Sequence, residues 1–207
     1  ESAERCFKLG FDLVEVGAGH KYEPDATKTV IELRKEHPGK RFTVHAMFPP
    51  LKESYVMNLS DKDEHARIMR TAGGMFELAR KIDADVVVLH GGYCGKTHWS
   101  ENGRGGFKEL AMKERMPREK AMENLFVALE CLGPAAENAG VKLALEISPA
   151  GAWGPVPGTP DEFGDMLSRF GSKVFGLLLD VGHAHISGAA LGFDPYDFTE
   201  RFKRRIL

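Results

Sequence analysis

The chain lacks a cysteine framework. Its 207 residues hold only Cys6, Cys94 and Cys131, widely spaced and with no Cys-x-x-Cys pair, which excludes a disulfide scaffold and a cysteine zinc module. A reducing, cytoplasmic setting is expected. Long hydrophobic runs are also missing: no stretch approaches the roughly 20 apolar residues of a membrane helix, and the opening residues show no signal-peptide pattern. Neither charge sign is in excess. A formal net charge of −2 gives no basic surplus for nucleic acid or an anionic membrane, although a local basic rim can hide in a neutral total. No Gly-x-Gly-x-x-Gly follows a strand, and neither a P-loop nor a Gly-x-Ser-x-Gly elbow occurs.

What is present alternates between helix and strand periods. Residues 3–9 read as a helix end stopped by Gly10, followed by a strand over Phe11–Val16. A helix over 25–36 leads to a strand at 41–45. Ser60 is the expected N-cap of a long helix to about Ile82, with Ile68, Ala72, Phe76 and Ala79 at helical spacing. The strand Asp85–His90 is apolar on both faces. A Gly-rich loop from Gly91 to about Met116 precedes a helix over 117–138 and a strand over 141–146. Thr159-Pro160-Asp161-Glu162 opens a further helix with a capping box. A strand over 173–180 and a last helix over about 196–204 complete the chain, with Arg201, Lys203, Arg204 and Arg205 read as its solvated end.

Repeated helix–turn–strand units imply parallel strands joined by right-handed crossovers, and continuously apolar strands fit a sheet covered on both faces. No linker interrupts residues 1–207, so one α/β domain is expected. A doubly wound open sheet would accommodate five strands. A (β/α)8 barrel accounts better for the strand ends, because in a barrel all of them surround one mouth, whereas in an open sheet only those at the switch point share a crevice. On that reading the chain is an incomplete barrel, its first strand and last two strands absent.

Those strand ends carry the chemistry. His45, His90, Glu146, Asp180 and His183 each close or follow an apolar run. Imidazoles and carboxylates of this kind suit a divalent cation with an open position for substrate, and a carboxylate at the end of a Val/Leu strand needs a partner. Mn, Zn, Mg and Co all suit such donors. Glu15 reads as a structural ion-pair residue. Around the expected mouth, Lys96 and Arg104 belong to a modestly basic stretch that could hold a substrate phosphate, or simply be a solvated loop. Trp153 could stack on a sugar ring or pack its own loop down. His185 could touch substrate or face solvent.

At these residues the chain resembles the xylose isomerase-like TIM barrel superfamily, which includes sugar-phosphate isomerases and epimerases and the endonuclease IV family. The matching pieces are Gly10-Phe-Asp-Leu-Val-Glu15, Val44-His45-Ala46, Val87-Val-Leu-His90-Gly-Gly92, Leu145-Glu146 and Leu179-Asp180-Val-Gly-His183-Ala-His185. The resemblance implies a divalent metal on Glu146 and Asp180, with further ligands from later strands. In the sugar branch it makes Glu146 an acid/base and places His183 against substrate. In the endonuclease branch it gives His45, His90 and Glu146 a second zinc and His183 a third. The Gly-His-Ala-His form is closer to the sugar branch. The expected function is therefore a metal-dependent sugar or sugar-phosphate isomerase or epimerase. The alternatives are a zinc phosphodiesterase acting on abasic DNA and a non-catalytic sugar-binding barrel. The expected partner is a small sugar or sugar phosphate; a homo-oligomer is compatible with the sequence, which does not set the state.

Overall fold

Helix α1 (Ser2–Lys8) ends at Gly10, whose φ of 94° lets the chain turn directly into strand β1 (Leu13–Val16). That turn is the first of several in the computed structural model, which describes residues 2–17, 22–53, 55–100, 109–151 and 153–207. Helix α2 (Ala26–Glu36) and strand β2 (Arg41–His45) repeat the unit, as do α3 (His65–Lys81) and β3 (Val86–His90). Strands β4 (Gly92–Tyr93), β5 (Gly95–Ser100) and β6 (Glu109–Arg115) follow, then helix α4 (Arg118–Ala139), β7 (Lys142–Glu146), β8 (Pro155–Val156), α5 (Pro160–Arg169) and β9 (Phe175–Leu178). Helices α6 (Val181–Leu191) and α7 (Asp197–Phe202) complete the order.

The main sheet runs β1-β2-β3-β7-β9, with every neighbouring pair parallel. Spatial order follows chain order without reversal. A doubly wound sheet would reverse at its switch point; a barrel wall does not. At the outer edge of β9 the Leu177 N–H donates to the Arg205 carbonyl (2.8 Å) and the Leu207 N–H to the Leu177 carbonyl (3.0 Å), a parallel bridge that continues the same progression. Val87, Leu89, Leu143, Leu145 and Leu177 are buried, as the continuous apolar runs require. Among the described residues, no helix is long and apolar enough to cross a membrane.

Several local expectations are corrected. The helix expected from Ser60 begins later. Asp61 caps a single 3-10 turn over 62–64, accepting from the Asp63 N–H (3.1 Å), and α3 follows it. Ser60 is buried and donates to the Ala121 carbonyl (2.8 Å). The stretch 91–116 is more structured than a loop: β5 and β6 pair as an antiparallel hairpin, and β4 pairs with β8. Two glycines make that departure feasible. A Cβ on Gly91 would lie 2.1 Å from the Val156 carbonyl oxygen, and one on Gly92 1.8 Å from Ser60 Oγ. Helix α6 adds to the expected elements. It contains no charged residue and no polar–apolar period, so no amphipathic signal announces it. Arg205 is no solvated helix end: it donates to the carbonyls of Leu167, Phe170 and Phe175.

The expected start of α5 is present. Thr159 Oγ1 accepts from the Glu162 N–H (3.3 Å), with Pro160 in the first turn. The Glu162 carboxylate accepts instead from the Gly158 N–H (2.7 Å) and from the Arg118 guanidinium. Thr159→Ala is expected to lower stability by about 1 kcal/mol, read as a shift in the denaturant midpoint.

Candidate metal centre

Strand alternation sets the geometry. In the sheet register His45 lies opposite Val88, and His90 lies opposite Glu146. Side chains two apart on a strand share a face, so His45, His90 and Glu146 all point to the same side of the sheet near its C-terminal rim. Asp180 and His183 arrive differently. β9 ends at Leu178, and Asp180 leaves the strand to cap α6, its Oδ1 accepting from the His183 N–H (2.8 Å). The cap places the His183 ring in the first turn of α6, facing the rim.

Glu146 is the hub. Its Oε2 takes His45 Nε2 at 2.6 Å and lies 3.7 Å from His90 Nε2, while its Oε1 lies 3.2 Å from His183 Nδ1. His183 Nδ1 is also 3.7 Å from Asp180 Oδ2. Two donor groups result, His45–His90–Glu146 and Glu146–Asp180–His183, each with its ligand atoms within 4.8 Å of one another. Ligands about 2.1 Å from a cation lie up to about 4.2 Å apart, so small side-chain rotations close either group on an ion. The Glu146 side chain is 7% exposed and that of Asp180 37%, so the donors rise from a buried floor to an open mouth.

Each imidazole is anchored through Nδ1. That of His45 meets the Ala46 carbonyl (2.9 Å), that of His90 the Ser148 hydroxyl (3.0 Å) and that of His183 the Ile147 carbonyl (2.9 Å). Anchoring of one ring nitrogen leaves the other for a ligand, the usual arrangement of metal-binding histidines.

Burial disfavours a charge on His45, but the Glu146 hydrogen bond, the Ala46 carbonyl and the nearby carboxylates outweigh it and raise its pKa. On His90 burial prevails, supported by the neighbouring His45 and His183, and its pKa falls. Burial also works against charge on Glu146, yet the His45 hydrogen bond and the three imidazoles lower its pKa. In the metal-free protein His45 therefore adds stability that is fully present below the unfolded histidine pKa and is lost as pH rises through the folded value. His90 acts oppositely, costing stability as pH falls below the unfolded histidine value. An NMR titration is expected to place His45 above the ordinary histidine value and His90 below it. Glu146→Gln is expected to lower the His45 value, because burial then loses its strongest opponent.

The other expected residues that the structure describes belong to neither donor group. Lys96, on β5, pairs with Asp63 (3.0 Å) and Glu114 (3.3 Å). Trp153 donates its indole N–H to the Leu110 carbonyl (2.7 Å), tying its loop to the hairpin. His185 is exposed on α6. Arg104 lies outside the described residues. Glu15 accepts from Thr43 Oγ1 (3.2 Å) rather than showing the expected Lys or Arg partner among the described residues. Sequence reasoning missed Ser148, which carried no signal beyond standing two residues after Glu146.

A family model described as a xylose isomerase-like TIM barrel matches residues 3–206. The chain belongs to that family. An uncharacterized protein of Methanocaldococcus jannaschii is 27% identical over 204 residues, covering 98% of this chain and 60% of its own length. The chain thus spans less than two thirds of that relative. Among solved structures, a D-tagatose 3-epimerase-like protein superposes with a TM-score of 0.68 at 24% identity, covering 99% of this chain and 67% of its own. The IolI protein with a bound zinc atom gives 0.69 at 20% identity, covering 99% and 64%. L-ribulose 3-epimerase gives 0.64 at 18% identity, covering 89% and 55%. At these identities the likeness establishes the TIM-barrel family fold, of which this chain presents a parallel five-stranded wall.

Proposed function

We propose that the chain carries the site of a metal-dependent sugar or sugar-phosphate isomerase or epimerase. One observation carries the reading: a single buried carboxylate, Glu146, is shared by three imidazoles and stands in one donor group with Asp180. Membership of the family, epimerases among the fold neighbours and a zinc atom in one of them support it.

The donors suit a divalent cation, which when bound supplies Lewis-acid polarisation of a hydroxyl–carbonyl pair. Glu146 and Asp180 would hold it, with His45, His90 and His183 as further donors. Glu146 stays ionised at neutral pH because the imidazoles around it favour its charge, and an ionised carboxylate can take a proton alpha to a carbonyl. Its burial keeps water from competing for that proton. His183 holds its Nδ1 on the Ile147 carbonyl, so Nε2 is its one free nitrogen, open either to the cation or to a substrate oxygen. Asp180 has Oδ1 committed to its cap and Oδ2 available as a ligand.

The test is proton exchange. The protein would be loaded in turn with Mn, Co, Zn and Mg and incubated in heavy water with D-tagatose, L-ribulose, D-psicose and their phosphates. Cation-dependent deuterium incorporation next to the carbonyl is the expected result. A protein that holds the cation and exchanges no proton with any of these sugars would refute the reading.

The His45–His90–Glu146 group favours a second reading, a zinc phosphodiesterase acting on abasic DNA, because a carboxylate bridging two donor groups can hold more than one metal. More than one zinc per chain together with nicking of an abasic duplex would decide for it.

A further inference from the structure

The segment after Glu146 is clamped by one face of α6. His183 holds the Ile147 carbonyl through Nδ1 (2.9 Å). Four residues along the same helix face, the fully buried Ser187 donates to the Ser148 carbonyl (3.3 Å) and accepts from the Ala150 N–H (2.8 Å). With its main chain fixed in this way, Ser148 delivers its own buried hydroxyl to His90 Nδ1 at 3.0 Å, 58 residues away in sequence. The phenol of the partly buried Tyr93 lies near the Ser148 hydroxyl, which works against the burial that raises the phenol's pKa.

The two ring nitrogens of His90 are therefore unequal. Nε2 faces Glu146 Oε2 at 3.7 Å, beyond hydrogen-bond reach. That oxygen is already engaged by His45 at 2.6 Å. Among the described residues, only Nδ1 has a hydrogen-bond partner. A hydroxyl oxygen can accept as well as donate, and with no acceptor within hydrogen-bond reach of Nε2 the single proton of a neutral imidazole is best placed on Nδ1. The serine hydroxyl hydrogen can then turn to the Tyr93 oxygen.

We propose that Ser148 is a positioning residue that holds His90 in its Nδ1–H tautomer and so presents the Nε2 lone pair to a cation at Glu146. The claim rests on the metal-centre reading for the cation, but the tautomer is a property of the metal-free protein. His45 is anchored comparably by the Ala46 main-chain carbonyl, which no side-chain substitution removes. At His90 the anchor is a side chain and can be tested.

Long-range nitrogen–proton NMR on the metal-free, ¹⁵N-labelled full chain reads the tautomer, and competition with a chromophoric chelator reads zinc affinity. The wild type is expected to show His90 protonated on Nδ1. Ser148→Ala is expected to bring up the Nε2–H form and to weaken zinc binding about 10- to 100-fold. Ser148→Thr, which keeps the hydroxyl, is expected to restore both. A wild-type His90 protonated on Nε2 would overturn the proposal even if no variant folded. So would an alanine variant with unchanged tautomer and affinity. A wild type that binds no zinc would overturn the metal centre instead, and the tautomer would still decide the role of Ser148.

Discussion

Glu146→Gln is expected to lower divalent-cation affinity by more than about 100-fold, beyond the 10- to 100-fold typical of losing a supporting residue, and to abolish cation-dependent proton exchange with it. The glutamine keeps the shape and an oxygen for His45 but removes the one negative charge common to both donor groups. The fold should survive. The buried carboxylate carries a desolvation cost that offsets much of its attraction to the imidazoles, and substitution removes both. Equilibrium dialysis with metal analysis, set beside a thermal melt of the metal-free protein, separates the two effects. Cation content equal to that of the wild type would remove Glu146 from the centre.

Phe163→Ala should do the reverse, costing about 3–5 kcal/mol of stability while leaving cation stoichiometry per folded molecule unchanged. Phe163 is fully buried on α5 and meets Phe198 of α7 edge-on, with ring centroids 5.4 Å apart. Phe198 in turn packs against Phe193 and Phe202, so the void would open beside an aromatic cluster. Domains of this kind have only about 5–15 kcal/mol in total, so a large part of the margin rests on this ring. The denaturant midpoint measures the loss. A loss below about 1 kcal/mol would mean that the neighbouring rings collapse into the space.

The residues at the hub were legible because two independent signals coincided. Val86–Leu89 and Leu143–Leu145 are apolar enough to be buried strands, and each stops on a group that is costly to bury alone, His90 and Glu146. Alternation then has only one way to aim them. Lys96 was named from local charge, and its actual partners, Asp63 and Glu114, lie on other segments whose approach no local pattern reveals. Trp153 is a similar case, its indole committed to a carbonyl on β6 of the hairpin. The hairpin itself was hidden because the Gly-rich composition of 91–106 imitates a plain loop.

Chain order, strand identity and the residue types at the strand ends belong to the sequence alone, because burial period and the cost of an unpaired buried charge act locally. The unreversed sheet order, the turn of Asp180 from strand end to helix cap and the delivery of Ser148 to His90 are decided only in three dimensions. They depend on hydrogen bonds and packing between segments tens of residues apart, which leave no periodic trace in any one of them.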